Sequence, residues 1–354
     1  MLKVYLIPNE IIMKQKFIRV TSIFAVAFIS VISASSFRGN NGSMDPDSLT
    51  LNSLRKLDRS PFYTMTFYGD YYFKDYLDGR IEFPRLDSVD AKIKCTCFAA
   101  MGNSDSMLFG RNFDYPNSIP LLLFTHPRDG YASMSMTDLD YFGYSYKNLP
   151  DSCSNRKQLL KTPWLPIDGV NEKGVAIGIM TVEKTEPPND SSKRTINEAA
   201  MIRLVLDYAG NVEEAIELIR HYNVNTTLID PEPEHYLIAD PSGQSVIVEF
   251  LENDTKIIRN QTPWQVATNF NVYGKNVSEI NDERYLLASA ELKAKLGNVS
   301  TIEAMAILKD ASEINTRWLA VYNMTTKKVV ISIGRNFDKV YRFNLTNSEN
   351  DGSN

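Results

Sequence analysis

A chain of 354 residues with 43% hydrophobic, 23% charged and 11% aromatic side chains has ordinary globular composition, which excludes a disordered, collagen-like or repeat-solenoid protein. Its 38 basic and 43 acidic residues leave a net charge of −5, so nothing in the balance attracts a polyphosphate and no nucleic-acid partner is expected. Three histidines (His126, His221, His235) and the absence of HExxH, GxxxxGK[ST], GxGxxG and GxSxG set aside zinc hydrolysis, P-loop chemistry, dinucleotide binding and lipase-type serine catalysis.

At the N-terminus, Lys14, Lys16 and Arg19 precede an apolar run from Val20 to Ala34. Its dense part, Ile23 to Ile32, is shorter than the roughly 20 residues a membrane span needs. With small residues at 33–36 it reads as a secretory signal over residues 1–36, cut near Ser35 or Ser36. An uncleaved signal anchor is the alternative, and Met13 is a second candidate start. The expected location is secreted, lysosomal or periplasmic. Asn41, Asn189, Asn225, Asn253, Asn260, Asn276, Asn298, Asn323 and Asn344 each open an Asn-x-Ser/Thr sequon; in a glycosylating host these are surface positions. Cys95, Cys97 and Cys153 are an odd number, so in a secreted monomer at least one thiol stays unpaired. Small buried hydrophobes remain an alternative reading of all three.

Residues 37–50 are Gly/Asn/Ser/Asp-rich and read as a linker. Leu51, Leu54 and Leu57 suggest a helical start, followed by an aromatic-rich stretch, Phe62 to Tyr76. From Cys95 the texture becomes strands and turns: Thr96–Ala100, Met107–Asn112, and Val175–Val182 after the turn 171–174. Two helices follow. The first is expected behind a capping box from Thr195 to Glu198 and the second from Asn211, each with one apolar stripe. His235–Ala239 and Ser245–Phe250 form a hairpin, Gln265–Asn269 a strand, Asp282–Lys295 and Thr301–Asp310 helices, and Trp318–Asn323 with Lys328–Ile333 a last hairpin. Hairpins with helices grouped between them indicate α+β with antiparallel sheets.

The chemistry gathers in Lys94-Cys95-Thr96-Cys97-Phe98-Ala99-Ala100 and Gly110-Arg111-Asn112-Phe113-Asp114. A thiol, an arginine and an aspartate one hairpin apart sit at neighbouring strand ends. An arginine beside a cysteine is expected to lower the thiol pKa, and a carboxylate can hold an amine or imidazole base. No histidine is close in sequence, so the candidate base is the α-amino group of the cysteine itself, with an ordinary pKa of about 7.7–8. That requires the peptide bond before the cysteine to be cut.

These segments resemble the N-terminal nucleophile (Ntn) hydrolases of the choloylglycine hydrolase, or linear amide C–N hydrolase, family. Asp168-Gly169-Val170-Asn171-Glu172-Lys173-Gly174, the hairpin from His235, Ala267-Thr268-Asn269-Phe270 and Arg284-Tyr285 extend the resemblance in order to the C-terminus. It implies a four-layer αββα sandwich of two antiparallel sheets, a propeptide or small N-terminal subunit over 37–94 that covers the site until cleavage, and a catalytic domain over 95–354. Self-cleavage after Lys94 would expose Cys95 as the nucleophile. Arg111 would sit against the thiol, Asp114 would orient the α-amine, Asn269 would donate to the oxyanion and Arg284 would complete the charge network. Where bile salt hydrolases carry a further asparagine this sequence has Thr181, which leaves the second oxyanion donor to Thr181 or a backbone N–H and argues against bile salts as substrate. The resemblance implies a small-molecule acyl amide substrate cleaved through an acyl thioester, with no cofactor and no metal. Membrane-lipid contact for substrate access and homo-oligomer formation are both compatible with it.

Alternatives stand beside these readings. Cys97 falls on the same face as Cys95 in a regular strand and is the alternative nucleophile; Arg111 and Asp114 could form a structural ion pair. A second Gly-Arg-Asn-Phe-Asp, Gly334–Asp338, follows no cysteine and reads as a strand-end turn. Trp264 and the aromatics of 62–76 read as packing residues. An acyltransferase of the same fold and a non-catalytic secreted binding protein are the competing functions, whereas a papain-like protease lacks its sequence signature.

Overall fold

The computed structural model describes residues 45–86, 94–151, 156–225 and 232–346, with only the backbone of Val277. The expected signal, its cleavage point, Asn41 and Cys153 lie outside the described residues, as does one compact unit, Met1–Ser43, in full. All of the described elements belong to the other unit, Met44–Asn354.

Asp45 caps α1 (Pro46–Asn52), its carboxylate accepting from the backbone of Asp47 and Ser48 at 3.3 and 3.2 Å. A capping aspartate followed by proline in the first turn starts a helix, so α1 begins inside the stretch read as linker. Leu51, Leu54 and Leu57 are not one helix face: β1 (Arg55–Asp58) already contains Leu57. β2 (Phe62–Phe67) and α2 (Phe73–Leu77) hold the aromatic stretch. Then come β3 (Lys94–Ala100), β4 (Leu108–Asp114), β5 (Pro120–Thr125), β6 (Ser133–Asp138), β7 (Asp168–Asn171) and β8 (Ala176–Thr181). β9 (Thr195–Asn197), α3 (Glu198–Tyr208), α4 (Val212–Arg220) and β10 (Asn223–Asn225) lead to β11 (Glu234–Ala239), β12 (Ser245–Leu251), β13 (Asp254–Arg259) and β14 (Trp264–Ala267). The chain continues through α5 (Glu283–Ala294), α6 (Thr301–Asp310), β15 (Thr316–Asn323), β16 (Lys328–Ile333) and β17 (Tyr341–Asn344).

The strands form a nine-stranded sheet, β1-β2-β5-β6-β7-β8-β11-β12-β13, and a six-stranded sheet, β14-β3-β4-β15-β16-β17. α3 packs on β7 and β8, α4 on β11, α5 on β14 and β3, and α6 on β4 and β15, while β3 meets β8 and β11 across the interior. This is the αββα sandwich. Its sheets are not purely antiparallel, because β2 joins β5 parallel; the small pair of β9 and β10 is parallel too. Both faces of β3 are buried. Cys95, Cys97 and Ala99 enter the inter-sheet core, and Phe98 and Ala100 the core under α5 and α6. A strand covered on both faces reads as an apolar run rather than an alternation. The sheets come so close at β8 that a Cβ on Gly178 would lie 2.9 Å from Cys97 Sγ, so glycine is required there.

α3 starts later than the Thr195 capping box suggests. β-branched Thr195 and Ile196 are taken by pairing with β10, and Asn197 becomes the cap, its Oδ1 accepting from Ala200 N at 2.7 Å. Nor does α3 carry a single stripe: it is buried from Glu198 through Asp207. Residues 45–86 cover its far side, with Tyr71 Oη donating to Asp207 at 2.7 Å and Phe73 stacked on Tyr208. Those residues supply two strands, β1 and β2, of the large sheet. Among the described residues no helix is long and apolar enough to cross a membrane.

Candidate active site

Cys95 is the second residue of β3, next to exposed Lys94, whose Nζ lies 3.7 Å from Glu313. In the continuous chain Cys95 N is a peptide amide that donates to Asn269 Oδ1 at 2.7 Å. Arg284 ties both residues together, donating to Cys95 O at 3.0 Å and to Asn269 Oδ1 at 3.1 Å. Because Cys95 N and Arg284 only donate, they fix which end of the Asn269 amide is oxygen. Its Nδ2 then donates to Thr181 O and Thr181 Oγ1 at 3.0 and 2.8 Å. In this state Thr181 is a hydrogen-bond acceptor for Asn269, and the Asn269 donors face Thr181.

Asp114 ends β4 and is fully buried. Thr316 donates its hydroxyl to Oδ1, and Arg284 lies 3.7 Å from Oδ2. Burial pushes the Asp114 carboxyl up to about 6, against the pull of Thr316, Arg284 and Arg111. Arg111 is also fully buried, yet its hydrogen bond goes to Cys97 Sγ at 3.3 Å, with a further one to Ile179 O. Its Nε lies 3.4 Å from Asp168, a carboxylate that also accepts from Trp318 and Tyr322. Arg111 is therefore held by Cys97, Ile179 and Asp168, and its charge also acts on the Cys95 thiol.

The expected lowering of the thiol pKa does not occur in the continuous chain. Removal from water raises Cys95 well above its ordinary value and outweighs Arg111 and Arg284, which pull it down. Cys97 is pushed up to about 11 by the same cause. Both thiols are protonated at neutral pH, so a nucleophile here needs a base.

Two residues not singled out in the sequence position Asn269. His235 and Glu249 are fully buried. His235 Nε2 lies 2.8 Å from Thr268 O and Nδ1 3.0 Å from Glu249 Oε1. Glu249 also accepts from Val272 N and Tyr273 N at 2.6 and 3.0 Å. The segment bearing Asn269 is thus clamped on either side of that residue. The hairpin carried the signal: Ala239 faces Ser245, and four rungs back His235 falls opposite Glu249. A largely apolar pocket of about 40 Å³ adjoins Thr181, with Phe113, Ile167, Ile179 and Ile202 in its wall and Glu198 and Glu234 beside them. Gly334–Asp338 forms a surface turn in which Gly334 and Arg335 have positive φ. Among the described residues no group of three or more His, Cys, Asp or Glu is placed to hold a metal.

The fold, with a buried thiol at a strand start facing an arginine, an aspartate and an asparagine, defines a protein class, and comparison with known proteins supplies its family. A model of the linear amide C-N hydrolases, choloylglycine hydrolase family, matches residues 95–307, and the chain belongs to that family. Penicillin V acylase from Pectobacterium atrosepticum is 24% identical over 193 residues, 50% of this chain and 49% of that protein; the chain thus matches about half the length of this curated relative. Two solved variants of conjugated bile acid hydrolase from Clostridium perfringens share the fold. Their TM-scores are 0.52 and 0.51 and their identities 15% and 16%; each covers 73% of this chain, with 95% and 94% of their own chains matched.

Proposed function

We propose that the protein is a self-processing amidase of linear, non-peptide acyl amides, with Cys95 as the nucleophile. The observation that carries this reading is the bracket around Cys95: Asn269 Oδ1 on its nitrogen and Arg284 on its carbonyl, at the start of a strand behind an exposed residue. Attack of the Cys95 thiol on the Lys94 carbonyl forms a thioester, and water cleaves it. The nitrogen that now donates as an amide becomes an α-amine, still within reach of Asn269 Oδ1. As a free amine with an ordinary pKa of about 7.7–8 it can take the thiol proton near neutrality.

In turnover the thiolate attacks the substrate carbonyl, the amine passes its proton to the leaving nitrogen, and water releases the acid. Asn269 can serve the oxyanion only if one of its N–H donors turns from Thr181 to the substrate. Loss of one such donor typically costs about 10²–10³ in rate. The largely apolar pocket beside Thr181 suits the acyl part of the substrate. Secretion is part of the same reading: none of the eight sequon asparagines among the described residues is buried.

The test is mass-spectrometric sequencing of the mature N-terminus, paired with turnover of penicillin V, an N-acylethanolamine and a glycine-conjugated bile acid, each with and without an added acceptor amine. A new chain beginning at Cys95, lost together with turnover in Cys95→Ala, is the expected result. Full activity in uncut protein would sink the reading. A conjugate to the acceptor amine would reassign it as an acyltransferase.

A further inference from the structure

On the outer face of the six-stranded sheet α6 packs over β4 and β15, and β16 and β17 extend the sheet beyond β15. A groove of about 520 Å³ runs between the helix and these strands, within the roughly 300–1,000 Å³ range of small-molecule sites. Its apolar floor comes from Met305 on α6, from Val321 and Val330, and from Phe337. Val321 and Val330 are opposite one another across β15 and β16, and Arg342 on β17 is opposite Val330.

The rim is cationic. Lys309, Lys328 and Arg342 line the groove, and no aspartate or glutamate does. Lys309 Nζ stands 5.4 Å above the centroid of the Phe337 ring, which fixes one positive charge at the end of the apolar floor. Lys328 is exposed and makes no ion pair among the described residues. An apolar trough edged by cations and no acid is complementary to one chemistry, a single apolar chain ending in an anion. A polar peptide would leave backbone groups unpaired against the floor. A concave trough also follows one chain better than a flat bilayer surface.

We infer that the groove between α6 and β16–β17 binds a free, single-chain amphipathic carboxylate. This site lies on the helix-covered face, goes beyond the amidase reading and does not depend on it.

The test is calorimetric titration of the full chain with dodecanoate, and with dodecyltrimethylammonium as the cationic control. Asn323 lines the groove and opens a sequon, so the protein is made in a host that adds no glycans. Dodecanoate should bind at one site, with the cationic control at least tenfold weaker. The double variant Lys309→Glu/Lys328→Glu should weaken dodecanoate at least tenfold, and Ala306→Trp, which places a ring in the groove, should do the same without touching the charges. Amidase activity should be unchanged in both. If the charge reversals impair folding, as read by melting temperature, Ala306→Trp decides alone. Dodecanoate affinity unaltered by the folded variants would overturn the inference. So would lysine-dependent sedimentation with phosphatidylglycerol vesicles in the absence of any binding of free dodecanoate.

Discussion

Asp114 illustrates how function and stability oppose each other at a single residue. Its carboxyl titrates at about 6 in the fold against 3.8 ordinarily, so between those values the native state binds more protons than the unfolded one. The contribution of Asp114 to stability is then most favourable at acid pH and falls as pH rises from about 4 to about 6. Asp114→Asn should remove this cost and gain roughly 1–3 kcal/mol at pH 7.5, with little gain at pH 4. Under the proposed mechanism, with Asp114 orienting the Cys95 amine as the family resemblance implies, the same variant should lose about a hundredfold or more in turnover. Urea unfolding at both pH values, alongside initial rates, checks the pair. The two cysteines should separate as well. Cys97→Ser keeps an acceptor for Arg111 and should process and turn over within about fivefold of the parent, whereas Cys95→Ala does neither; the mature N-terminus and rates read this.

At the scale of elements, the hairpin of β11 and β12 acts through the segment after β14. Glu249 accepts from His235 and two backbone N–H groups, and those contacts hold its carboxyl below the usual range against burial. Glu249→Ala should cost about 3–5 kcal/mol, since it strands buried donors. The milder Glu249→Gln should lower kcat about tenfold with KM within twofold, because a small displacement of Asn269 weakens the transition state more than binding. Equal losses in kcat and stability with no change in the pH profile would make the pair merely structural. About half of the strands are legible in the sequence, for a physical reason. β8, β11 and β12 are apolar runs bounded by turn residues, and β15 and β16 flank an obvious turn. The start of α3 is not, because Thr195 serves a strand pair with Asn223–Asn225 that local sequence does not announce. β2 is equally silent, because it takes a parallel partner, β5, from far along the chain.

Across the whole molecule, residues 45–86 are woven into the body that Cys95 begins. β2 pairs with β5, the Tyr71 hydroxyl reaches Asp207, and Phe73, Tyr76 and Phe83 pack around Trp164. Cleavage before Cys95 should leave this segment bound rather than release it. Native mass spectrometry should therefore find one particle of two chains, and denaturing conditions should separate them. Tyr71→Phe should cost about 1–2 kcal/mol by leaving Asp207 short of a donor, and a cut protein, once unfolded, should refold poorly because reassembly has become bimolecular.

The apolar runs and turns were enough to determine an α+β chain with antiparallel strands, because burial on both faces writes itself into consecutive side chains; the two-sheet sandwich and the candidate residues around Cys95 came from the family resemblance that the ordered motifs carry. What touches what was decided by the tertiary structure. Only there does Arg111 turn to Cys97 and Asp168, Thr181 accept from Asn269, and His235 with Glu249 clamp the segment between. Water exclusion likewise outweighs the expected pull of Arg111 on the thiol. Hydrogen-bond direction and desolvation depend on neighbours far along the chain, and local sequence carries no term for them.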